Sequence, residues 1–192
     1  MPPKAKFTKE EIIRAGLAIL REQDISAVTA REIGKYLNSS SRPIFTVFEN
    51  MGEVMDGIER KARTIYTNYV NEGLKKEIAF KGVGQAYIEF ATKEPKLFQL
   101  LFMKELPEDI GLNKILPEID ANYDTILQSI TDSYPVSHND AIMLYRHLWI
   151  YSHGIATLCA TGMCRFTGEE IGNMLTDVFV SLLKNRLAGG SK

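Results

Sequence analysis

The chain has 192 residues, 45% of them apolar, with 23 Lys and Arg against 24 Asp and Glu. That length buries a substantial core in one or two domains, and the balanced charge excludes a polyanion-binding signature for the chain as a whole. Up to Met51 eight basic residues stand against six acidic ones, which leaves the remainder at −3 out of a total of −1 and permits an anionic partner at the N-terminal end. The first residues form no apolar signal segment. The longest apolar stretch, residues 149–160, is interrupted by Ser152 and His153 and is too short to span a bilayer, so a cytoplasmic protein without a membrane partner is expected.

Helix-start signals then follow in chain order. Thr8 precedes Glu11 by three, the spacing of a capping box, and Phe7 can pack on Ile12 as a hydrophobic staple. Ile12, Ile13, Gly16, Leu17 and Leu20 recur at helical spacing until Gln23-Asp24. Thr29 and Glu32, flanked by Val28 and Ile33, open a second helix, and Asn50 and Glu53 open a long one through Val54, Ile58, Ala62, Ile65 and Tyr69. Beyond residue 75 the pattern stays helical, with breaks expected at Gly82-Val83-Gly84, Pro95, Leu106-Pro107, 133–137 and 162–168. No alternating strand, long repeat or low-complexity segment appears. The expected fold is all-α, with helices near 9–23, 29–36, 40–47, 51–76, 84–93, 95–103, 113–133, 138–161 and 168–187.

The segment "NSSSRPIF" (38–45) connects the second and third of these helices. Asn38 tolerates the left-handed conformation that such a turn needs, and Ser40 is expected to cap the third helix ahead of Ser41, Arg42 and Pro43. Three short helices with this turn have the shape of a helix-turn-helix unit, in which first-turn side chains meet base edges. Small hydroxyls allow close approach and Arg42 can make a bidentate contact with guanine. The expected division is a helix-turn-helix DNA-binding domain over 1–50 and a ligand-binding and dimerisation domain over 51–192.

The second part has a different character. "AIMLYRHLWIYSHGIATLCA" is apolar on almost every side, and the last helix carries two apolar stripes, one with Ile171, Leu175, Val178 and Leu182 and one with Met174, Phe179, Leu183 and Leu187. A helix apolar all round must be covered all round, which near the end of a small chain calls for a second subunit. Tyr145, Ser152, Ala156, Met174, Val178 and Leu182 are the candidate dimer interface, and Tyr66, Tyr69, Phe90, Phe102, Met103, Tyr123, Trp149 and His153 the candidate ligand pocket. Cys159 and Cys164 are expected to be reduced and structural. No carboxylate pair, Gly-rich phosphate loop, Ser/His/Asp set or metal spacing appears, so neither enzyme activity, cofactor nor metal is expected.

"TAREIGKYLNSSSRPIFTVFENMGEV" (29–54) resembles the N-terminal signature of the TetR family of bacterial transcriptional regulators. "ATKEPKLFQLLFM" (91–103) is similar to the family's helix junction after a Pro, and "WIYSHG" (149–154) to a Trp-x-x-x-His-Gly signature of some members. The resemblance implies a homodimer of nine-helix subunits joined through their last two helices. It further implies a DNA operator as partner and a small-molecule ligand whose binding releases a repressor. Carried over by position, it places Thr29, Arg31, Ser40, Ser41, Arg42, Pro43, Phe45 and Thr46 at the DNA. Phe45 stands where a Tyr is usual, Val47 where a His is frequent and Met51 where a Lys is common, departures that remove a hydroxyl and a charge from backbone contacts. Two other readings stay open: an α-helical small-molecule-binding protein or enzyme that has lost DNA binding, and a regulator controlled by a protein partner.

Overall fold

The computed structural model describes residues 5–105 and 111–189, all helical or connecting. Nine α-helices occur among the described residues: α1 (Lys9–Glu22), α2 (Ala30–Tyr36), α3 (Met51–Leu74), α4 (Ala79–Lys93), α5 (Pro95–Phe102), α6 (Gly111–Ile119), α7 (Tyr123–Ser133), α8 (His138–Ala160) and α9 (Gly168–Gly189). Two short 3-10 helices, Ile25–Ala27 and Arg42–Thr46, lie between α1 and α3. The expected break at Leu106-Pro107 lies outside the described residues.

The chain forms two compact units, one of residues 1–65 with 94–104 and one of 66–93 with 105–192. The core of the first is built from Ile12 and Leu20 on α1, Ile33 on α2, Ile44, Ile58 on α3, and Leu97 and Phe98 on α5, all nearly or fully buried. Its helix starts close as the spacing predicts. The Thr8 Oγ1 accepts from the Glu11 N–H at 3.2 Å while the Glu11 carboxylate accepts from the Thr8 N–H at 2.8 Å. Thr29 accepts from the Glu32 N–H at 3.2 Å. Asn50 accepts from the Glu53 N–H at 3.1 Å, and the Glu53 carboxylate reaches one residue past the cap to the Glu49 N–H at 2.9 Å. Each such cap contributes about 1 kcal/mol to its helix. Arg21 holds Glu94 through two charge-assisted hydrogen bonds of 2.7 and 2.8 Å, which tie α1 to the start of α5.

In the second unit α4 packs against α7, α8 and α9. Ile88, Phe90, Ala91, Ile126, Ile130, Ala141, Leu144 and Ala156 make the interior.

Three expectations are corrected. The third helix, expected over 40–47, is the 3-10 segment Arg42–Thr46, preceded by Ser41 with no side-chain cap, so Ser40 does not cap it. Pro43 removes one backbone donor, and five residues are too few to propagate an α-helix. Gly82 and Gly84 do not break the chain but lie buried inside α4. A Cβ on Gly73 would stand 2.6 Å from the Gly82 carbonyl oxygen, and one on Gly82 would collide with the Gly73 carbonyl oxygen, so these glycines let the α3 and α4 backbones touch. The single helix expected over 113–133 is two, α6 and α7, separated by Asp120, Ala121 and Asn122. The number nine survives because this extra helix replaces the one that tightened to 3-10.

Candidate functional site

The polar turn of the first unit is fixed from inside. Asn38 adopts φ 51°, the left-handed conformation that its short amide side chain tolerates. A Cβ on Gly34 would stand 2.8 Å from the backbone of Ser40, so α2 lies against the turn with no room for any larger residue. Ile44 and Phe48 point into the core and anchor the 3-10 segment.

With those two inside, Arg42, Phe45 and Thr46 are exposed and Ser41 and Pro43 half-exposed; Thr29, Arg31 and Ser40 are also exposed. The eight candidate DNA contacts therefore all show surface within the first unit. Among the described residues neither Arg31 nor Arg42 is engaged in an ion pair. Two of the eight spend a polar group locally: Thr29 caps α2, and the Thr46 hydroxyl donates to the Pro43 carbonyl at 2.6 Å. Lys6 was not anticipated. Its Nζ donates to Ser39 Oγ at 3.0 Å, which holds a cation of the N-terminal arm at the turn. Met51 is the first residue of α3 and half-exposed.

The second unit contains a narrow cleft of about 20 Å³, room for about one water, lined by Tyr66 of α3, Phe80, Val83, Gly84 and Tyr87 of α4, Asp120 between α6 and α7, and Tyr145, Leu148, Trp149 and Ser152 of α8. Asp120 is its centre and is 4% exposed. One carboxylate oxygen accepts from the Tyr145 hydroxyl at 3.0 Å and the Tyr66 hydroxyl at 3.2 Å, and the other from the Asn122 N–H at 3.0 Å. Burial pushes the Asp120 carboxyl above its ordinary range, and these three donors only partly oppose that. Burial likewise pushes the Tyr66, Tyr145 and Tyr87 hydroxyls well up, so all three stay protonated.

The Tyr87 hydroxyl meets His153 Nδ1 at 2.9 Å, and burial lowers the His153 pKa, which keeps the imidazole neutral. Trp149 stacks on His153 with centroids 5.2 Å apart; its indole N–H lies near the Tyr87 hydroxyl without the geometry of a hydrogen bond. The Ser152 hydroxyl, 2% exposed, has no partner either among the described residues.

Of the eight candidate pocket residues, Tyr66 and Trp149 line this cavity. His153 stands behind Tyr87 and Trp149, and Tyr123 stacks on Tyr145 at 5.7 Å, one ring removed. Phe90 is fully buried between Tyr66 and Tyr69, and Tyr69 opens instead onto a separate polar groove with Glu72, Lys76 and Lys93. Phe102 and Met103 belong to the first unit. Of the six candidate interface residues, Tyr145 and Ser152 line the cavity and Ala156 is fully buried inside the chain, whereas Met174, Val178 and Leu182 form a half-exposed stripe on α9.

Asp120 falls inside the single helix expected over 113–133 and so was not singled out. The usable signal is Asp-x-Asn, in which a carboxylate accepts from the backbone two residues on and interrupts a helix.

Residues 80–183, just over half of the chain, match the family model described as "Tetracyclin repressor-like, C-terminal domain". Among solved structures the chain is similar to a TetR-like transcriptional regulator from Rhodococcus sp. RHA1, with a TM-score of 0.63 over 98% of this chain and 100% of that one. Only 13% of residues are identical, so that likeness is one of fold. No curated protein sequence matches the chain.

Proposed function

Because this chain belongs to the TetR family of transcriptional regulators, we propose that it is a repressor that leaves its DNA operator when a small molecule binds to its second unit. In this reading residues 1–50 read DNA, residues 51–192 bind ligand and a second subunit, and the protein works in the cytoplasm. The observation that carries the DNA half is the turn itself. Gly34, left-handed Asn38 and buried Ile44 hold Ser41, Arg42 and Thr46 toward solvent, with Arg42 in no ion pair among the described residues. A guanidinium so placed can reach a guanine edge, and Arg31, Lys6 and the turn hydroxyls can reach phosphate.

The dimer half rests on surface left uncovered. Ile150 is 45% exposed on α8, and one turn on Gly154 is exposed, with open space where a Cβ would stand, while Met174, Val178 and Leu182 line the half-exposed stripe of α9. An exposed mid-helix glycine costs a helix about 1 kcal/mol, a cost that a close helix–helix approach offsets. Sedimentation at micromolar concentration should give twice the chain mass.

Selection from a random duplex library followed by mobility shift tests the whole reading. A near-palindrome should emerge, with half-sites about one helical turn or a small multiple apart. Failure to enrich any sequence would instead favour a ligand-binding protein without DNA function, as the Phe45 and Met51 departures would allow.

A further inference from the structure

A second pocket of the same unit is far roomier than the cleft at Asp120. It has a volume of about 200 Å³ and opens between α4, α8 and α9 beside Tyr134, the residue after α7. Phe80 of α4, Leu148 of α8, and Leu175 and Phe179 of α9 form its floor, each 9% exposed or less. The Phe179 ring packs on Phe80 and Tyr134 with centroids 5.5 and 4.9 Å apart. Ile78 and Val180, 47% and 37% exposed, stand at the mouth. An apolar cavity of about 150 Å³ already holds benzene, so this pocket has room for a ring or a chain of about six carbons.

Lys81 is the one charged side chain that lines the pocket among the described residues, and no carboxylate does. Its half-buried side chain lies across Gly172 of α9, where an added Cβ would stand 3.8 Å from its Cε and Nζ. It takes part in no ion pair among the described residues. Burial holds the Tyr134 hydroxyl above its ordinary value, so it keeps a proton to donate, whereas Thr176 already donates to the Gly172 carbonyl at 2.7 Å. A guest therefore meets an apolar floor, one cation and one phenolic donor, and no anionic acceptor.

We propose that this pocket takes a small apolar carboxylic acid, its hydrocarbon part on Phe80 and Phe179 and its carboxylate against Lys81. The proposal rests on the reading of the second unit as the ligand-sensing half and specifies the chemistry of what is sensed. An ammonium of the same length would be repelled by Lys81. An alcohol would cover the same floor but forgo the charge-assisted hydrogen bond, which is about twice as strong as a neutral one. Leu175, Phe179 and Val180 stand on a different face of α9 from Met174, Val178 and Leu182, so a subunit seated on that stripe does not fill the pocket.

Calorimetric titration of the full chain at neutral pH tests this with hexanoate as the acid, hexanol as the neutral guest and hexylammonium as the cation. Hexanoate should bind saturably, about tenfold or more tighter than hexanol, and hexylammonium should not bind. Lys81→Met, which keeps an apolar stem, should bring hexanoate down to the affinity of hexanol and leave hexanol unchanged. Equal affinity for acid and alcohol, or no saturable heat with hexanoate, overturns the proposal. Should Lys81→Met fail to fold, the acid–alcohol pair on the unsubstituted protein decides alone. Val180→Glu at the mouth should weaken hexanoate and leave the sedimenting mass as it is; a mass halved by that substitution would make the pocket a subunit contact and overturn the proposal. Mobility shift with hexanoate separates the two readings: binding without release of DNA keeps the acid site and overturns the ligand-released repressor, while release by some other ligand with no hexanoate binding does the reverse.

Discussion

The turn around Asn38 and the cavity around Asp120 are both small polar constructions, but they are assembled over different distances along the chain. At the turn, the fixing hydrogen bonds Thr29 to Glu32, Thr46 to Pro43 and Asn50 to Glu53 run between residues a few positions apart, and only the Lys6 to Ser39 bond reaches further, over 33 residues, among those described. At the cavity, Asp120 is reached from Tyr145, 25 residues away, and from Tyr66, 54 residues away. A locally fastened site presents its side chains outward, because its neighbours in sequence do the holding. A site fastened from three helices and the link between α6 and α7 closes inward, so its chemistry depends on the packing of the whole unit.

The most damaging test of that difference is Gly82→Val. The side chain would enter the backbone contact between α3 and α4, the helices that carry Tyr66 and Tyr87, and there is no flexible neighbour to yield. Overpacking of this kind costs about 1–3 kcal/mol, read as a lower urea midpoint for the Trp149 emission. An unchanged midpoint would mean that the cavity does not depend on this crossing. Arg42→Ala should leave that midpoint alone and cost about 1–3 kcal/mol against the best operator, flattening preference at one symmetric pair of positions. Equal weakening on all sequences would make Arg42 a phosphate contact. The smallest effect is expected from Met51→Lys, which places a charge in the first turn of α3. Binding should tighten on specific and random duplexes alike, and the plot of log affinity against log salt should steepen by about one unit per subunit. An unchanged slope would turn residue 51 away from the DNA backbone.

The same contrast explains what could be read from the sequence. Caps at Thr8, Thr29 and Asn50 and the left-handed Asn38 were legible because each is decided within three or four residues. The eight candidate DNA contacts came instead from the family resemblance, carried over position by position. The third helix was misjudged for a local reason, Pro43 within a run too short to stay α-helical. The glycines of α4 were misread because their partner, Gly73, is nine residues from Gly82 and on another helix; alone, a Gly-x-Gly looks like a break. Of the cavity, periodicity gave Tyr66 and Trp149 as apolar aromatics but not which way they face. Asp120 was missed because nothing beside it in sequence says that two tyrosines will surround it.

The capping carboxylates have a consequence for behaviour in acid. Glu11 and Glu170 are held below their ordinary value of 4.5 chiefly by the N–H groups of Thr8 and Thr167, and Asp24 below 3.8 chiefly by the Ser26 hydroxyl. A lowered pKa in the folded state means stabilisation that is complete above those ordinary values and vanishes as pH falls through the lowered ones. Asp120 has the opposite sign: its raised pKa makes the folded state relatively more favourable on acidification, when the buried carboxyl takes up its proton. Acid therefore weakens the caps at the starts of α1 and α9 and at the 3-10 turn after α1, while it relieves the buried Asp120 carboxylate.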